Sequence, residues 1–550
     1  MNLMNAVDAL TCLRSGKPVE DARITGLLDL RGIDVDGAVR FSNCVFEDAV
    51  DASDGHFAHG LQLIDCIFNK GLSLAHARIN GPLNLTRTVL KPMDGQVEAP
   101  FRDLHVDGCI EATRLHVECD LNLSDLACGA ALRLRGCKIG GDLLLGSACI
   151  EGEFDLSECE SDGLEPAAFT EISGYLQCGS SQIESRVLFI GTHLGAANFE
   201  QSHIGGTMLL APGPHTTAPV TIGVHKGEAY SLSLLGASLH GNLEIRGALL
   251  EGHLRVSNAE IRCSLVVVGR PDPVTGKMLP TSLGSGGRGT SLRLSSASIQ
   301  GALLLSGVNF DGLVVITNTK VGVLEIDASS IKNLRSLSEK RGHHGGQTHV
   351  LVLSGLEFGE LKLSDHSPAA ETLDLLNLAK FDEGVYANVE NWLRRTARDD
   401  AADEVYRAMR KKETAQRHEG MKRWLYQFLG LLYGYGTRVR VAFSLWFLTL
   451  AFSCFMFRDG SSLESVSPPN PVPPNALSSE PDWVDKAGVI LRIHLPMAIW
   501  FSDAEWKPAP KRFLWILRID VVAQVILVWN LINVTLIIAA FSGVLKRRGS

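Results

Sequence analysis

Aromatic residues are scarce in this chain, 7% of 550 residues. A core built from large rings is thereby excluded, and the interior must be filled by small and branched aliphatic side chains. No CxxC pair occurs among the twelve cysteines, and no Cys/His spacing suits zinc. Residues Met1 to Ser15 lack a basic n-region and a continuous apolar core, so a secretory leader is not expected. Basic residues are short in the larger part: up to Gly384 there are 30 Lys and Arg against 46 Asp and Glu, and beyond it 22 against 15. An acidic body is a poor partner for phosphate backbones and argues against nucleic acid. No Ser/His/Asp or Cys/His grouping stands out as catalytic, and no cofactor or metal set is expected.

What the chain has in abundance is glycine, 54 residues, set in a repeat of about eleven. Gly241, Gly252 and Cys263 each open one phrase, and Gly301, Gly312 and Gly322 open it again with Leu303/Leu305, Val314/Ile316 and Leu324/Ile326. Two short alternating apolar pairs per unit read as very short strands, and the glycines between them as corners. A short fixed period over hundreds of residues predicts a solenoid. Cys44, Cys66, Cys137, Cys149 and Cys159 fall at or beside a small-residue slot, and Cys109, Cys119 and Cys263 take the glycine slot. They read as reduced core packing, which fits a reducing compartment.

Cys119-Asp120-Leu121-Asn122-Leu123, Ser124-Asp125-Leu126-Ala127-Cys128 and Ala197-Asn198-Phe199-Glu200-Gln201 resemble the unit of pentapeptide-repeat proteins. The departure is a double unit of eleven residues in place of ten. The resemblance implies an all-β right-handed β-helix with about 20–22 residues per coil, and about twelve coils would give a rod of roughly 60 Å. The expected division is an N-terminal helical cap at 1–23, the β-helix at 24–384, a helical neck with an interfacial helix at 385–436, and a two-span hairpin at 437–550. Five interruptions are expected as loops and as possible protein contacts: Lys91–Val106, Glu160–Ser173, Ala211–Tyr230, Arg270–Gly289 and Arg335–Thr348.

Two apolar runs, Val441–Phe457 and Val521–Val544, have lengths that suggest membrane spans. A Pro-rich connector, Ser467–Pro474, lies between them. Basic residues before the first run and Lys546-Arg547-Arg548 after the second place both chain ends in the cytoplasm by the positive-inside rule. Repeats, neck, the Tyr433-Gly434-Tyr435-Gly436-Thr437-Arg438 junction and the hairpin together resemble a bacterial inner-membrane group with a two-span, ion-channel-like C-terminus. That resemblance implies a membrane-anchored scaffold or sensor, in contact with the lipid bilayer and forming a homo-oligomer. Similar chains are often labelled membrane-associated oxidoreductase, which supplies the alternative function.

Between the runs, Val489–Trp506 reads either as an interfacial helix or as a re-entrant loop, ending in Asp503 and Glu505, two carboxylates that could ring a pore. Gln524, Asn530 and Asn533 lie within the second run, and Asn530 and Asn533 share a helical face. Helix packing and a conduction path are both compatible with them. The GxGxxG at Gly284–Gly289 lacks the strand–helix context of a dinucleotide site and reads as a loop. His343, His344 and His349 read as solvated.

Overall fold

The computed structural model describes the chain apart from residues 91–109, 160–167, 214–218, 225–228, 272–277, 285–288, 344–348, 364–367, 418–419, 422, 424–426, 428–438, 466–480, 496–505, 514–516 and 542–550. It divides into two compact units, Met1–Ala397 and Arg398–Ser550.

In the first unit the alternating apolar pairs form short parallel strands gathered into two long sheets of 24 and 22 strands. Val45 pairs with Ile67, and Ile67 with Val89, so one strand lies beside the strand 22 residues on. Every second residue points inward. Phe41, Phe46 and Phe68 are buried among aliphatic neighbours, with Phe46 stacked on Phe68 at 4.6 Å. The glycine slot has a steric cause. A Cβ on Gly241, Gly252, Gly312 or Gly322 would lie 2.5, 2.7, 2.7 or 2.3 Å from backbone atoms of the neighbouring turn. A second corner is left-handed: Asp21, Asn43, Asp65 and Arg87 all have φ between 52° and 56°. Their side chains join across turns, Asn43 donating to Asp21 at 2.5 Å and Arg87 to Asp65 at 2.6 Å. Cys44, Cys66 and Cys137 are buried, whereas Cys119 and Cys263 sit exposed at glycine-slot corners.

The expectation of an all-β right-handed β-helix is corrected. The fold is mixed α/β, 27% helix and 38% strand, with eight α-helices among the described residues. Five are α1 (Ala6–Arg14), α2 (Ala328–His343), α3 (Pro368–Leu378), α4 (Glu383–Arg395) and α5 (Asp399–Arg417). The pentapeptide-repeat resemblance falls with that expectation, because period-two alternation predicts strands and is silent about helices that interrupt them. Helix α2 shows how one intrudes. Residues 335–348, expected as loop, instead begin inside it. Its Ser330 accepts from the Val308 amide at 3.1 Å and its Asn333 from the Phe310 amide at 2.8 Å. Side chains of a helix thus satisfy strand donors at the sheet edge, where a further strand would otherwise pair. Other expected loops also carry short strands: Thr170–Gln177, Thr221–Ile222 and Thr281–Leu283.

Among its described residues the second unit holds α5 and three more helices: α6 (Val439–Met456), α7 (Trp483–His494) and α8 (Ile519–Phe541). An antiparallel pair, Leu463–Ser465 with Trp506–Pro508, lies beside them. The two apolar runs lie largely on α6 and α8, but the expected membrane hairpin is corrected: among the described residues no helix is long and apolar enough to cross a membrane. The runs are spent in part on packing. Met456, Phe457, Val489, Ile493, Ile519, Ala523 and Ile526 form one buried cluster, and Ser453, Asn530 and Asn533 lie buried beside it with their polar groups. Phe447, Leu448 and Phe455 of α6 and Val525, Val528 and Leu531 of α8 remain exposed. The lipid-bilayer partner, the multi-pass inner-membrane localisation and the membrane-anchored, channel-like function lose their structural basis with the spans.

Candidate functional site in the C-terminal unit

His494 ends α7 and is almost completely buried, 1% exposed. Its Nε2 lies 2.8 Å from Ser453 Oγ on α6, and its Nδ1 lies 2.9 Å from Asn530 Nδ2 on α8. The same Asn530 amide donates to the Ile493 carbonyl at 3.2 Å, while its Oδ1 accepts from Thr449 at 3.2 Å. Trp446 donates to the His494 carbonyl at 3.4 Å. One asparagine thereby ties three helices together.

These partners fix the protons. The Ile493 carbonyl only accepts, so the NH2 end of Asn530 must face it. That NH2 then donates to His494 Nδ1, leaving Nε2 to carry the ring proton and donate it to Ser453. A second proton on Nδ1 would confront the amide hydrogens, and burial independently pushes the His494 pKa down from 6.5. The imidazole is held neutral. Because its Nε2 is occupied by a proton directed at Ser453, it cannot take the proton from that hydroxyl, as nucleophilic catalysis requires. The arrangement is a clamp between helices.

Next to the clamp a cleft of about 500 Å³ opens against the other side of α7, within the usual size of small-molecule sites. Its apolar wall includes Val489, Ile493, Trp506 and Leu527, and Pro508, Pro510 and Ala523 extend it. Among the described residues, Arg492, Lys507 and Arg518 line it together with Glu464 and Asp520. Arg518 grips Asp520 with two hydrogen bonds, at 3.1 and 2.8 Å. That contact holds the Asp520 carboxyl below its ordinary range. Lys507 stands 4.0 Å from Glu464 across the antiparallel pair.

Of the residues singled out by sequence, Gln524 is exposed and lines the cleft, and Asn530 forms the centre of the clamp. Asn533 is buried and donates to the Trp529 carbonyl at 3.0 Å. Asp503 and Glu505 lie outside the described residues, as do the Tyr433–Arg438 junction, the Pro-rich connector and most of the GxGxxG. Sequence reasoning missed His494, Ser453, Thr449 and Arg492. The available signal was modest: three isolated polar side chains in apolar helical runs, each needing a buried partner. Among the described residues no group of three or more His, Cys, Asp or Glu is placed to hold a metal ion.

No protein-family model, no curated protein and no solved structure matches the chain.

Proposed function

We propose that the C-terminal unit binds an amphipathic carboxylate, a small acid with an apolar tail. The observation that carries this reading is the cleft, where an aliphatic and aromatic wall adjoins a rim that carries Arg492, Lys507 and Arg518. An apolar tail against Val489, Ile493, Trp506 and Leu527 would gain from burial, roughly 25 cal/mol per Å² removed from water. A carboxylate head would meet Arg492 and Lys507, and a charge-assisted hydrogen bond there contributes about 1.5–3 kcal/mol. The clamp maintains the cleft because His494 and Ile493 are neighbours on α7, and Ile493 lines the wall. Binding is the role this geometry supports, since the buried Ser453–His494 contact has its proton pointed the wrong way for nucleophilic chemistry.

Calorimetric titration of the full chain with octanoate, octylamine and octanol tests the proposal. Octanoate is expected to bind, octanol more weakly, and octylamine least. Arg492→Gln is expected to weaken octanoate by about tenfold, equivalent to about 1.4 kcal/mol, while leaving octanol unchanged. Equal affinities for octanoate and octanol, or an Arg492→Gln variant that binds octanoate like the parent, would overturn it.

A further inference from the structure

The paired cysteines of the first unit stand apart from the cleft. Cys44 immediately precedes the strand Val45–Phe46, and Cys66 immediately precedes Ile67–Phe68. Because Val45 pairs in parallel with Ile67, the two cysteines are neighbours on successive turns, in one column of small residues running Ala22, Cys44, Cys66 and Thr88. Adjacent parallel strands lie about 4.8 Å apart, inside the Cα window of about 4.4–6.8 Å that a disulfide bridges. The shared register stacks the two side chains on one face of the sheet, where each thiol also reaches a backbone carbonyl, Cys44 that of Ser42 and Cys66 that of Ile64, both at 3.4 Å. Both side chains are fully buried, and each follows directly on an exposed left-handed corner residue, Asn43 or Asp65. Their turns lie near the N-terminal end of the stack: in this column of pairings the Asn2–Asn5 and Ala22–Thr25 strands come before Val45–Phe46.

We propose that Cys44 and Cys66 are a redox modification site, closing to an intramolecular disulfide when the protein meets a peroxide. Cys44 is the attacking group. The neighbouring Cys66 thiol moves the Cys44 pKa down to about 7, whereas Cys66 itself is moved up. The Cys44 sulfur attacks one peroxide oxygen, the O–O bond breaks, and water leaves, giving a sulfenic acid. The Cys66 sulfur then attacks the Cys44 sulfur, the S–S bond forms, and the sulfenic oxygen leaves as a second water. Two thiols lose two electrons and two protons in total, and one hydrogen peroxide becomes two waters. Local opening of the N-terminal turns admits the oxidant, since such end segments open at lower cost than the middle of a sheet.

The test treats the native full chain with hydrogen peroxide, blocks the remaining thiols by alkylation, and maps peptides without reduction. The expected result is a peptide pair joining Cys44 to Cys66, two hydrogens lighter than the sum of the free peptides. The cross-link should disappear after dithiothreitol and should be absent from Cys44→Ser and Cys66→Ser. Serine suits this column, where Thr88 is already buried, and circular dichroism of both variants checks that they fold. Recovery of Cys44 and Cys66 as alkylated thiols, while exposed Cys119 and Cys263 are oxidised in the same sample, overturns the proposal. So does stable oxidation of Cys44 to the sulfinic acid without a cross-link.

Discussion

Replacing Asn530 by leucine isolates the clamp. Leucine keeps the approximate volume and stays apolar among the neighbours that pack α6, α7 and α8, so the lost quantity is hydrogen bonding. Three contacts go: to His494 Nδ1 at 2.9 Å, to the Ile493 carbonyl at 3.2 Å and from Thr449 at 3.2 Å. Thr449 still donates to the Trp446 carbonyl at 2.8 Å and loses little. His494 Nδ1 and the Ile493 carbonyl lose their donor in a region closed to water. A tautomer shift does not rescue the ring, because a proton moved to Nδ1 would point at leucine. Each of the two stranded acceptors costs about 1.5–2.5 kcal/mol, and burying leucine in place of the amide returns roughly 1 kcal/mol. The expected net loss is about 2–4 kcal/mol. Urea denaturation followed by tryptophan fluorescence reports it selectively, since all tryptophans except Trp392 lie in the Arg398–Ser550 unit. With a urea dependence of about 2 kcal/mol/M, the midpoint should fall by roughly 1–2 M. An unchanged or higher midpoint would refute the claim that Asn530 holds the helices together through buried hydrogen bonds.

Acidification should weaken the same unit. The folded-state pKa of His494 is depressed, so between that value and 6.5 the unfolded chain binds a proton that the folded one does not. Stability is therefore full above about pH 6.5 and falls as the pH drops towards the folded pKa; fluorescence-monitored melting from roughly pH 8 to pH 5 should show that slope, and His494→Gln should flatten it. In the first unit, Gly241→Ala would put a methyl group 2.5 Å from the Gly206 carbonyl carbon; we expect a loss of at least about 1 kcal/mol, and a melting temperature equal to that of the parent would contradict the packing explanation of the glycine slot. Thr170→Val removes a fully buried hydroxyl that accepts from the Gly136 amide at 2.9 Å and donates to the Ser157 carbonyl at 2.8 Å; hydrogen exchange at Gly136 should accelerate by tenfold or more, on the scale of about 1–2 kcal/mol.

The strands of the first unit were legible because their signal is local and repeated. Leu243 and Ile245 alternate with Asn242, Glu244 and Arg246, and the alternation alone fixes which side chains enter the interior. The glycine slot was legible for the same reason, and the structure gives its cause: the neighbouring backbone passes too close for a Cβ. Helix α2 was not. Residues 335–348 carry Arg335, Lys340 and Arg341 in a polar segment that reads equally well as loop, and nothing local announces that Ser330 and Asn333 will serve strand donors 22 and 23 residues earlier. Tertiary hydrogen bonding decides that helix, and a sequence window does not contain it.

The second unit shows the complementary limit. An apolar run states that a segment avoids water and leaves open what replaces water around it. Val441–Phe457 and Val521–Val544 have the length of a span, but length and composition cannot distinguish lipid from the side of another helix. The polar interruptions carry the distinguishing information. Asn530 was recognisable as a residue that needs a partner, but its partner is a single histidine at the end of a separate helix, 36 residues away in sequence. A lone histidine carries no spacing pattern, and so His494 was invisible while Asn530 was not. What makes the pair informative is mutual dependence: the Ile493 carbonyl orients the amide, the amide fixes the tautomer, and the tautomer assigns Ser453 the role of acceptor. Each step follows from donors and acceptors once the three helices are together, and none follows from any one of them alone.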